Sequence, residues 1–285
     1  MKYIITVSLL FFSASIFATQ HHDIYKIYNA KGKEVSFEKM MKATKNKSHV
    51  FMGEYHNNAV SHWLQVEIMT ALYAIHKKGL IMGAEMFEAD NQYILDEYLN
   101  GQISAKNYKK EMRLWPNYTT DYKPLIEFAK SNELEFVASN IPRRYANMVY
   151  KKGLLALNDL TALAKSFIVP LDQFKFDSTV ACYKNIYEME HGGEGMATAQ
   201  AIKDATMAYF IYKYTKPNSV FLHFQGAYHS DNYQGIIYYL KQKVELDKIL
   251  TISTVSQTNI DNLEEEHKGV ADFIICVREN MTSTH

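Results

Sequence analysis

The sequence predicts an α/β protein with a mainly parallel sheet flanked by helices. Short apolar runs alternate with longer amphipathic runs along the chain, and this alternation is typical of βαβ units. The sequence contains no internal repeat, low-complexity tract or Pro/Ser-rich linker that would separate domains. Two related motifs, Gly53-Glu54-Tyr55-His56 and Gly226-Ala227-Tyr228-His229, each follow an apolar run and indicate where two strands end.

Six apolar runs are predicted to form strands, at residues 50–52, 80–84, 136–138, 220–224, 249–253 and 273–277. Apolar residues at helical spacing between Leu64 and Ile75 predict a helix that stops at Gly79. Further helices are predicted at residues 92–99, 104–114, 122–132, 143–152, 155–165, 197–214 and 233–243. The stretch 154–194 fits the alternation poorly, so we expect a smaller helical subdomain inserted at roughly residues 154–195.

Residues 1–18 are predicted to be a secretory signal peptide. Lys2 supplies a positive charge, residues 4–17 form a mostly apolar run, and the small residue Ala18 precedes a polar stretch. The run is shorter than the ~20 apolar residues that a membrane-spanning helix needs, which favours cleavage over anchoring. We therefore expect a mature chain of residues 19–285, periplasmic or secreted, without a membrane-spanning segment. No cysteine lies near Ala18, so a lipid-modified N-terminal cysteine is not expected.

The charge of the chain is nearly balanced, with 31 basic and 31 acidic residues. Nucleic-acid binding uses a basic excess, so the composition gives no reason to expect a nucleic-acid partner. The two cysteines, Cys182 and Cys276, could pair in an oxidising compartment, and the sequence leaves their pairing open.

Polar residues recur just beyond four of the predicted strands. They are Glu54 and His56 after the first strand, Glu85 and Glu88 after the second, Asn140 and Arg143 after the third, and His229 after the fourth. Ligands bind at this edge of an open parallel sheet, because the strand ends and the following helix N-termini converge there. We therefore expect these side chains to line one cleft despite their separation in sequence.

Two imidazoles facing two carboxylates suit more than one chemistry. His56, His229, Glu85 and Glu88 could bind a divalent metal, and the same residues with Glu54 could perform acid–base catalysis. A purely structural interpretation is that each glycine ends a strand and each histidine caps the next helix. The repetition of the motif and its pairing with glutamates favour a functional site.

Other candidates are less specific. His62 and Gln65 lie one helical turn apart, so they either face the same cleft or are solvated. Arg143 begins a predicted helix, where the macrodipole disfavours a cation, and this suggests an anionic partner. Trp115, together with the nearby tyrosines 118 and 122, either forms an apolar wall for a flat ligand or belongs to the core.

The motifs together resemble the ChaN-like family. The matching residues run in order from about 50 to 240: residues 52–56, His62, Gln65, residues 83–88, Gln92, residues 95–101, Trp115, residues 122–125, residues 140–143, Gln200, residues 204–208 and residues 226–229. The resemblance implies a parallel sheet flanked by helices with a smaller helical domain. It also implies haem binding at a homodimer interface, in haem or iron acquisition. Many family members are lipoproteins, whereas this chain lacks the corresponding cysteine.

A haem-binding site and a hydrolase active site require different properties of these residues. A haem site needs an axial ligand, an apolar face and cations for the propionates. The candidate contacts are His56, His229, Tyr55, Tyr228, Tyr209, Arg143, Asn140 and His62, with the three tyrosines as candidate axial phenolates. A more distant similarity to the erythromycin esterases and the TraB/Tiki proteins implies instead a hydrolase that uses a histidine base or a metal. The extent of the ChaN-like similarity favours haem binding, and whether the protein is an enzyme stays open.

Overall fold

A seven-stranded sheet forms the centre of the protein. The structure, a computed structural model, describes residues 23–284, so the predicted signal peptide lies outside the described residues. The strands are β1 (Tyr25–Asn29), β2 (His49–Glu54), β3 (Leu80–Glu88), β4 (Phe136–Asn140), β5 (Val220–Gly226), β6 (Ile249–Gln257) and β7 (Phe273–Arg278). Their order is β1-β7-β6-β2-β5-β3-β4. Only β1, which pairs with β7 at one edge, runs antiparallel to its neighbour.

Helices cover both faces of the sheet and confirm the predicted α/β class. They are α1 (Phe37–Ala43), α2 (Ala59–His76), α3 (Gln92–Leu99), α4 (Ala105–Glu111), α5 (Lys123–Ser131), α6 (Arg143–Lys152), α7 (Ala162–Lys165), α8 (Ala181–Glu188), α9 (Glu194–Tyr214) and α10 (Ile236–Leu240). One core packs α1–α5 against one face, and a second core packs α6 and α8–α10 against the other. Alternate residues of β5 contribute to the two cores: Leu222 and Phe224 to one, Phe221 to the other. No described helix is both long enough and apolar enough to cross a membrane.

The observed elements differ from the predicted ones where local chemistry interrupts a pattern. The helix expected at residues 155–165 is divided into a 3₁₀ segment, Leu154–Asp159, and the short helix α7, because Thr161 caps a new start by accepting from the Ala164 N–H. The helix expected at 233–243 shortens to α10, which begins after Gly235 at a φ of 55°. Strand β1 is not among the predicted strands, because it is a short edge strand whose second residue, Lys26, is charged.

The stretch between α6 and α9 contains short 3₁₀ segments, α7 and α8, and packs on one face of the sheet. Its buried residues Leu157, Ile168 and Tyr183 belong to the same core as α9 and the sheet. Cys182 on α8 and Cys276 on β7 are both free and buried, so the disulfide that the sequence left open is not formed.

Candidate functional site

The four strands that carry the predicted site residues are neighbours, in the order β2-β5-β3-β4. They are parallel, so their carboxyl ends open at one edge of the sheet. Several of the polar residues lie inside the strands rather than beyond them: Glu54 ends β2, Glu85 and Glu88 belong to β3, and Asn140 ends β4. The predicted ends of these strands precede the observed ends, because the strands continue through buried polar residues.

Close backbone packing joins the two Gly-x-Tyr-His motifs. A Cβ atom on Gly53 would lie 2.8 Å from Ala227 Cα, and one on Gly226 would lie 2.8 Å from His56 Nε2. The Gly226 N–H also donates to Glu85 Oε2 at 2.8 Å. Gly226 therefore packs closely against the His56 ring while its N–H holds the Glu85 carboxylate, and a side chain at this position would displace the His56 ring.

His229 is a buried histidine between two buried carboxylates. Its Nδ1 contacts Asp204 Oδ1, and its Nε2 lies 3.1 Å from Glu85 Oε1. The exposed fractions of the side chains are 7% for His229, 6% for Glu85 and 2% for Asp204. The hydroxyl of Tyr183 donates to the other Asp204 oxygen at 2.9 Å, and this hydrogen bond fixes the carboxylate against α8.

The charges of this cluster stabilise one another. Burial alone would lower the pKa of His229, but the charges and hydrogen bonds of Glu85 and Asp204 outweigh burial and raise it to about 10. Burial would raise the pKa of Glu85, yet the charge and hydrogen bond of His229 and the charge of His56 bring it well below 4.5. For Asp204 burial dominates, so its pKa is raised. The two carboxylates consequently favour the protonated, cationic form of His229.

Glu54 is the centre of an adjoining buried cluster. Its Oε1 accepts hydrogen bonds from the Tyr122 hydroxyl at 2.7 Å and from His56 Nδ1 at 2.8 Å. Its Oε2 accepts from the Gln65 amide. This carboxylate, which is 0% exposed, ties the His56 ring to α2 and to the turn before α5. Tyr122 is thus both a core residue and a polar member of the site.

His62 belongs to the same cluster and is not solvated. Its Nδ1 lies 3.1 Å from Gln65 Oε1, and its Nε2 lies 3.3 Å from Asp121 Oδ2 and 3.1 Å from the His56 carbonyl oxygen. Only 6% of the side chain is exposed. Of the two positions that the sequence allowed for His62 and Gln65, the solvated one is wrong: both side chains lie in the buried cluster around Glu54.

The last described residues pack against this cluster. Thr284 Oγ1 donates to Asp121 Oδ2 at 2.8 Å, and the Thr284 N–H donates to the Asn57 carbonyl at 2.9 Å. The side-chain amide of Asn117 donates to Asp121 Oδ2 at 2.7 Å and to the His56 carbonyl at 3.0 Å. The loop that carries His56 is therefore fixed from two sides.

His56 is the member of the two clusters that faces solvent. Its side chain is 41% exposed, and its ring meets the Trp115 ring edge-on, with 5.0 Å between centroids. Burial tends to lower the pKa of His56, but the hydrogen bond to Glu54 and the charge of Glu85 raise it above 6.5. Among the described residues Nε2 has no hydrogen-bond partner. This nitrogen, which lies close to the Gly226 backbone, keeps an unused hydrogen-bonding position.

The three candidate tyrosines occupy different surroundings. Tyr55 is 44% exposed beside His56, and its hydroxyl has no partner in the described part of the chain. Tyr228 is 42% exposed, but its hydroxyl donates to the Cys182 carbonyl at 2.5 Å. Tyr209 lines a separate cavity between α9 and α10. Of the three, only Tyr55 is both the sequence neighbour of His56 and a tyrosine whose hydroxyl lacks a partner among the described residues.

The remaining predicted residues have different positions. Asn140 donates to the Glu85 carbonyl at 2.9 Å, and its buried Oδ1 has no partner within the described residues. Arg143 is the exposed first residue of α6. Glu88, expected beside Glu85, instead accepts from Arg113 Nε at 2.8 Å.

The predicted set of metal ligands is not gathered around one point. His229 contacts Glu85, whereas Glu88 is engaged by Arg113. In residues 23–284, the one group of three such side chains with ligand atoms mutually within 4.8 Å is Glu264, Glu266 and His267, far along the chain from the strand-end motifs.

Two acidic members of the site, Asp204 and Asp121, were not identified from the sequence as site residues. Asp204 lies on α9 and Asp121 in the turn before α5, so neither follows a strand. A signal for Asp204 was present, because residues 204–208 belong to the stretch that resembles the ChaN-like family. No comparable signal marks Asp121.

The protein is an α/β protein with a histidine–carboxylate site at the strand ends of a mainly parallel sheet. Comparison with known families identifies its family. Residues 40–240 match the family described as haem-binding uptake, Tiki superfamily, ChaN. The chain belongs to this family. No curated protein matches it in sequence.

Two solved structures share the fold at low sequence identity, and a third is less similar. ChaN of Campylobacter jejuni, described with cofacial haem binding, is 18% identical and has a TM-score of 0.63, over 88% of this chain and 96% of that chain. A succinoglycan biosynthesis protein is 12% identical with a TM-score of 0.52, over 86% of this chain and 91% of that chain. An erythromycin esterase has 11% identity and a TM-score of 0.49, over 91% and 83% of the two chains.

Proposed function

We propose that this protein binds haem at the surface formed by Tyr55 and His56. The observation that carries the proposal is the free Nε2 of a half-exposed histidine beside an exposed tyrosine, in a chain of the haem-binding uptake family. Haem would supply a ferric iron that takes an axial ligand and two propionates that need cations.

The residues at this surface fit those requirements. The phenol of Tyr55 is a suitable axial oxygen donor for ferric iron. His56 carries a raised pKa, and as an imidazolium it would donate from Nε2 to a propionate while Glu54 fixes its ring. Arg143 is a second exposed cation at the same edge of the sheet. Trp115 adds an apolar ring next to His56.

Hydrolysis, the alternative, is less well supported by the same site. A general base must be unprotonated near the working pH. The pKa of His229 is about 10, and its side chain is only 7% exposed between two carboxylates. The pKa of His56 is raised as well. His229 is therefore poorly suited to act as a general base, and the raised pKa of His56 decreases the fraction of its neutral ring at any given pH.

The test is a titration of the purified protein with hemin, followed by the Soret absorbance, beside metal analysis of the untreated protein. We expect a saturable red-shifted Soret band. The proposal is wrong if hemin gives no saturable shift. It is replaced by hydrolysis if zinc or manganese co-purifies and an ester is cleaved only when both histidines are intact.

We also propose that the protein is exported, acts in haem or iron acquisition, and binds haem as a homodimer. Export rests on the signal-peptide pattern of residues 1–18 and predicts a mature N-terminus at or near Thr19. Sequencing the native N-terminus tests it, and recovery of Met1 would contradict it.

Sedimentation with and without hemin tests the dimer, and a hemin-loaded monomer would exclude it. Growth of a deletion strain on hemin as the iron source tests acquisition.

A further inference from the structure

A cavity between α9 and α10 lies outside the strand-end site. Its volume is about 430 Å³, which is in the size range of small-molecule pockets. Ala208 and Tyr212 line it from α9, and Tyr239 lines it from α10. The lining begins at Ala205, next to Asp204 on α9, but the lining residues include none of His229, Glu85 and Asp204, so the cavity lies beside the His229 cluster without containing it.

The lining is aromatic at the walls and positive at the rim. Tyr209, Tyr212 and Tyr239 contribute rings, and the short side chain of Ala208 leaves the space between the helices open. Lys213 and Lys243 provide two ammonium groups. Within the described chain, no aspartate or glutamate lines the cavity, and neither lysine forms an ion pair.

Lys213 is oriented by its own surroundings. Its ammonium lies 5.8 Å from the centroid of the Tyr209 ring and 5.4 Å from that of Phe210, so it remains over the aromatic surface instead of extending away. A cation positioned at an aromatic cavity with no carboxylate partner complements a ligand with an aromatic body and one anionic group.

We propose that this cavity binds an aromatic anion, with its rings between Tyr209 and Tyr239 and its carboxylate or sulfonate at Lys213 and Lys243. Aromatic rings prefer offset or edge-on contacts with one another, which gives the body of the ligand its affinity. The two lysines distinguish an anion from a neutral molecule of the same shape. This site is separate from the proposed haem surface and does not depend on it.

Calorimetric titration with 2-naphthoate, and with 2-naphthylmethanol as the uncharged equivalent, tests the proposal on the whole protein. We expect 2-naphthoate to bind about fivefold to tenfold more tightly than the alcohol, because partly exposed charge pairs contribute modestly. The preference should decrease at high salt. Absence of naphthoate binding, or equal binding of both molecules, would overturn the proposal.

Variants locate the site. Lys213→Gln with Lys243→Gln should abolish the preference for the anion, whereas Lys241→Gln, an exposed lysine outside the lining, should preserve it. Ala208→Leu should weaken both probes by filling the cavity. If Ala208→Leu folds poorly, the lysine variants still test the proposal. Lys213 and Lys243 are exposed, so replacing them should not disturb folding. Unchanged naphthoate binding in the double lysine variant would place the probe elsewhere and refute the assignment. Hemin titration of each variant separates this result from the proposed haem site.

Discussion

The Nε2 atom of His56 lies almost against the backbone of Gly226, since a Cβ atom at position 226 would be 2.8 Å from it. Gly226 has a φ of −56°, a value that other residues adopt, so its lack of a side chain matters for space and not for backbone strain. The position of the His56 ring therefore depends on a glycine 170 residues away in the chain.

Gly226→Ala should displace the His56 ring and weaken hemin binding by roughly tenfold, equivalent to ~1.4 kcal/mol. The exposed ring can move, so we expect little change in the thermal midpoint. Gly79→Ala is the matched control, because its Cβ would lie at an ordinary 3.6 Å from the Asn218 carbonyl. Wild-type hemin affinity in Gly226→Ala would show that the ring position is unimportant for binding.

The contribution of His56 to hemin affinity should depend on pH. An imidazolium binds a propionate and a neutral imidazole binds it less well, and the pKa of His56 is raised by Glu54 and Glu85 despite burial. The ratio of wild-type to His56→Gln affinity should therefore be largest at about pH 6 and decline toward one as pH rises through that pKa. Soret titrations across pH measure this ratio. A ratio that grows with pH would instead indicate iron coordination by the neutral ring.

His229→Gln should destabilise the protein far more than His56→Gln. Removing His229 leaves Glu85 and Asp204 buried without their cation, and the loss of one partner of a buried pair costs ~3–5 kcal/mol. His56 is half exposed, so we expect a cost of under ~1 kcal/mol for its replacement. Urea unfolding of both variants gives the comparison, and similar free energies of unfolding would argue against the buried ion cluster.

The His229 cluster also gives the wild-type protein a specific pH dependence of stability. The pKa of His229 is raised to about 10, so its stabilisation is complete below 6.5 and is lost as pH rises through 10. The pKa of Glu85 is lowered, so its stabilisation is present above 4.5 and is lost in acid. The thermal midpoint should decline from neutral pH toward pH 10, and this decline should be smaller in His229→Gln.

Tyr55→Phe and Tyr228→Phe should separate an iron ligand from a structural tyrosine. The free hydroxyl of Tyr55 predicts that its loss changes the charge-transfer bands of bound hemin. The Tyr228 hydroxyl donates to the Cys182 carbonyl, so its loss should cost about 1 kcal/mol of stability and leave the bands unchanged. Spectra of the hemin-loaded variants decide, and altered bands in Tyr228→Phe alone would reverse the assignment.

The sequence predicted the sheet, and it predicted which strand ends carry the candidate residues, because both depend on local patterns. Apolar runs identified six strands, and motifs at their ends indicated the common edge. The partners of those motifs were harder to predict. Asp204 comes from the middle of a helix, and Glu88 has its own cation in Arg113, so each pairing depends on tertiary packing that periodicity does not encode. Which tyrosine keeps a free hydroxyl could not be predicted either, because it depends on burial and on the hydrogen-bond acceptors that the fold brings near each hydroxyl.

The contact between Glu85 and His229 spans 144 residues, and the Gly226–Glu85 hydrogen bond spans 141. Such separations make the site entropically costly to assemble, because long stretches of chain must be closed into loops before these contacts can form. A nascent or partly assembled chain would lack the arrangement around His56 until β5 has inserted between β2 and β3. Hemin should then recognise only the completed sheet, and its binding would retard unfolding without accelerating folding.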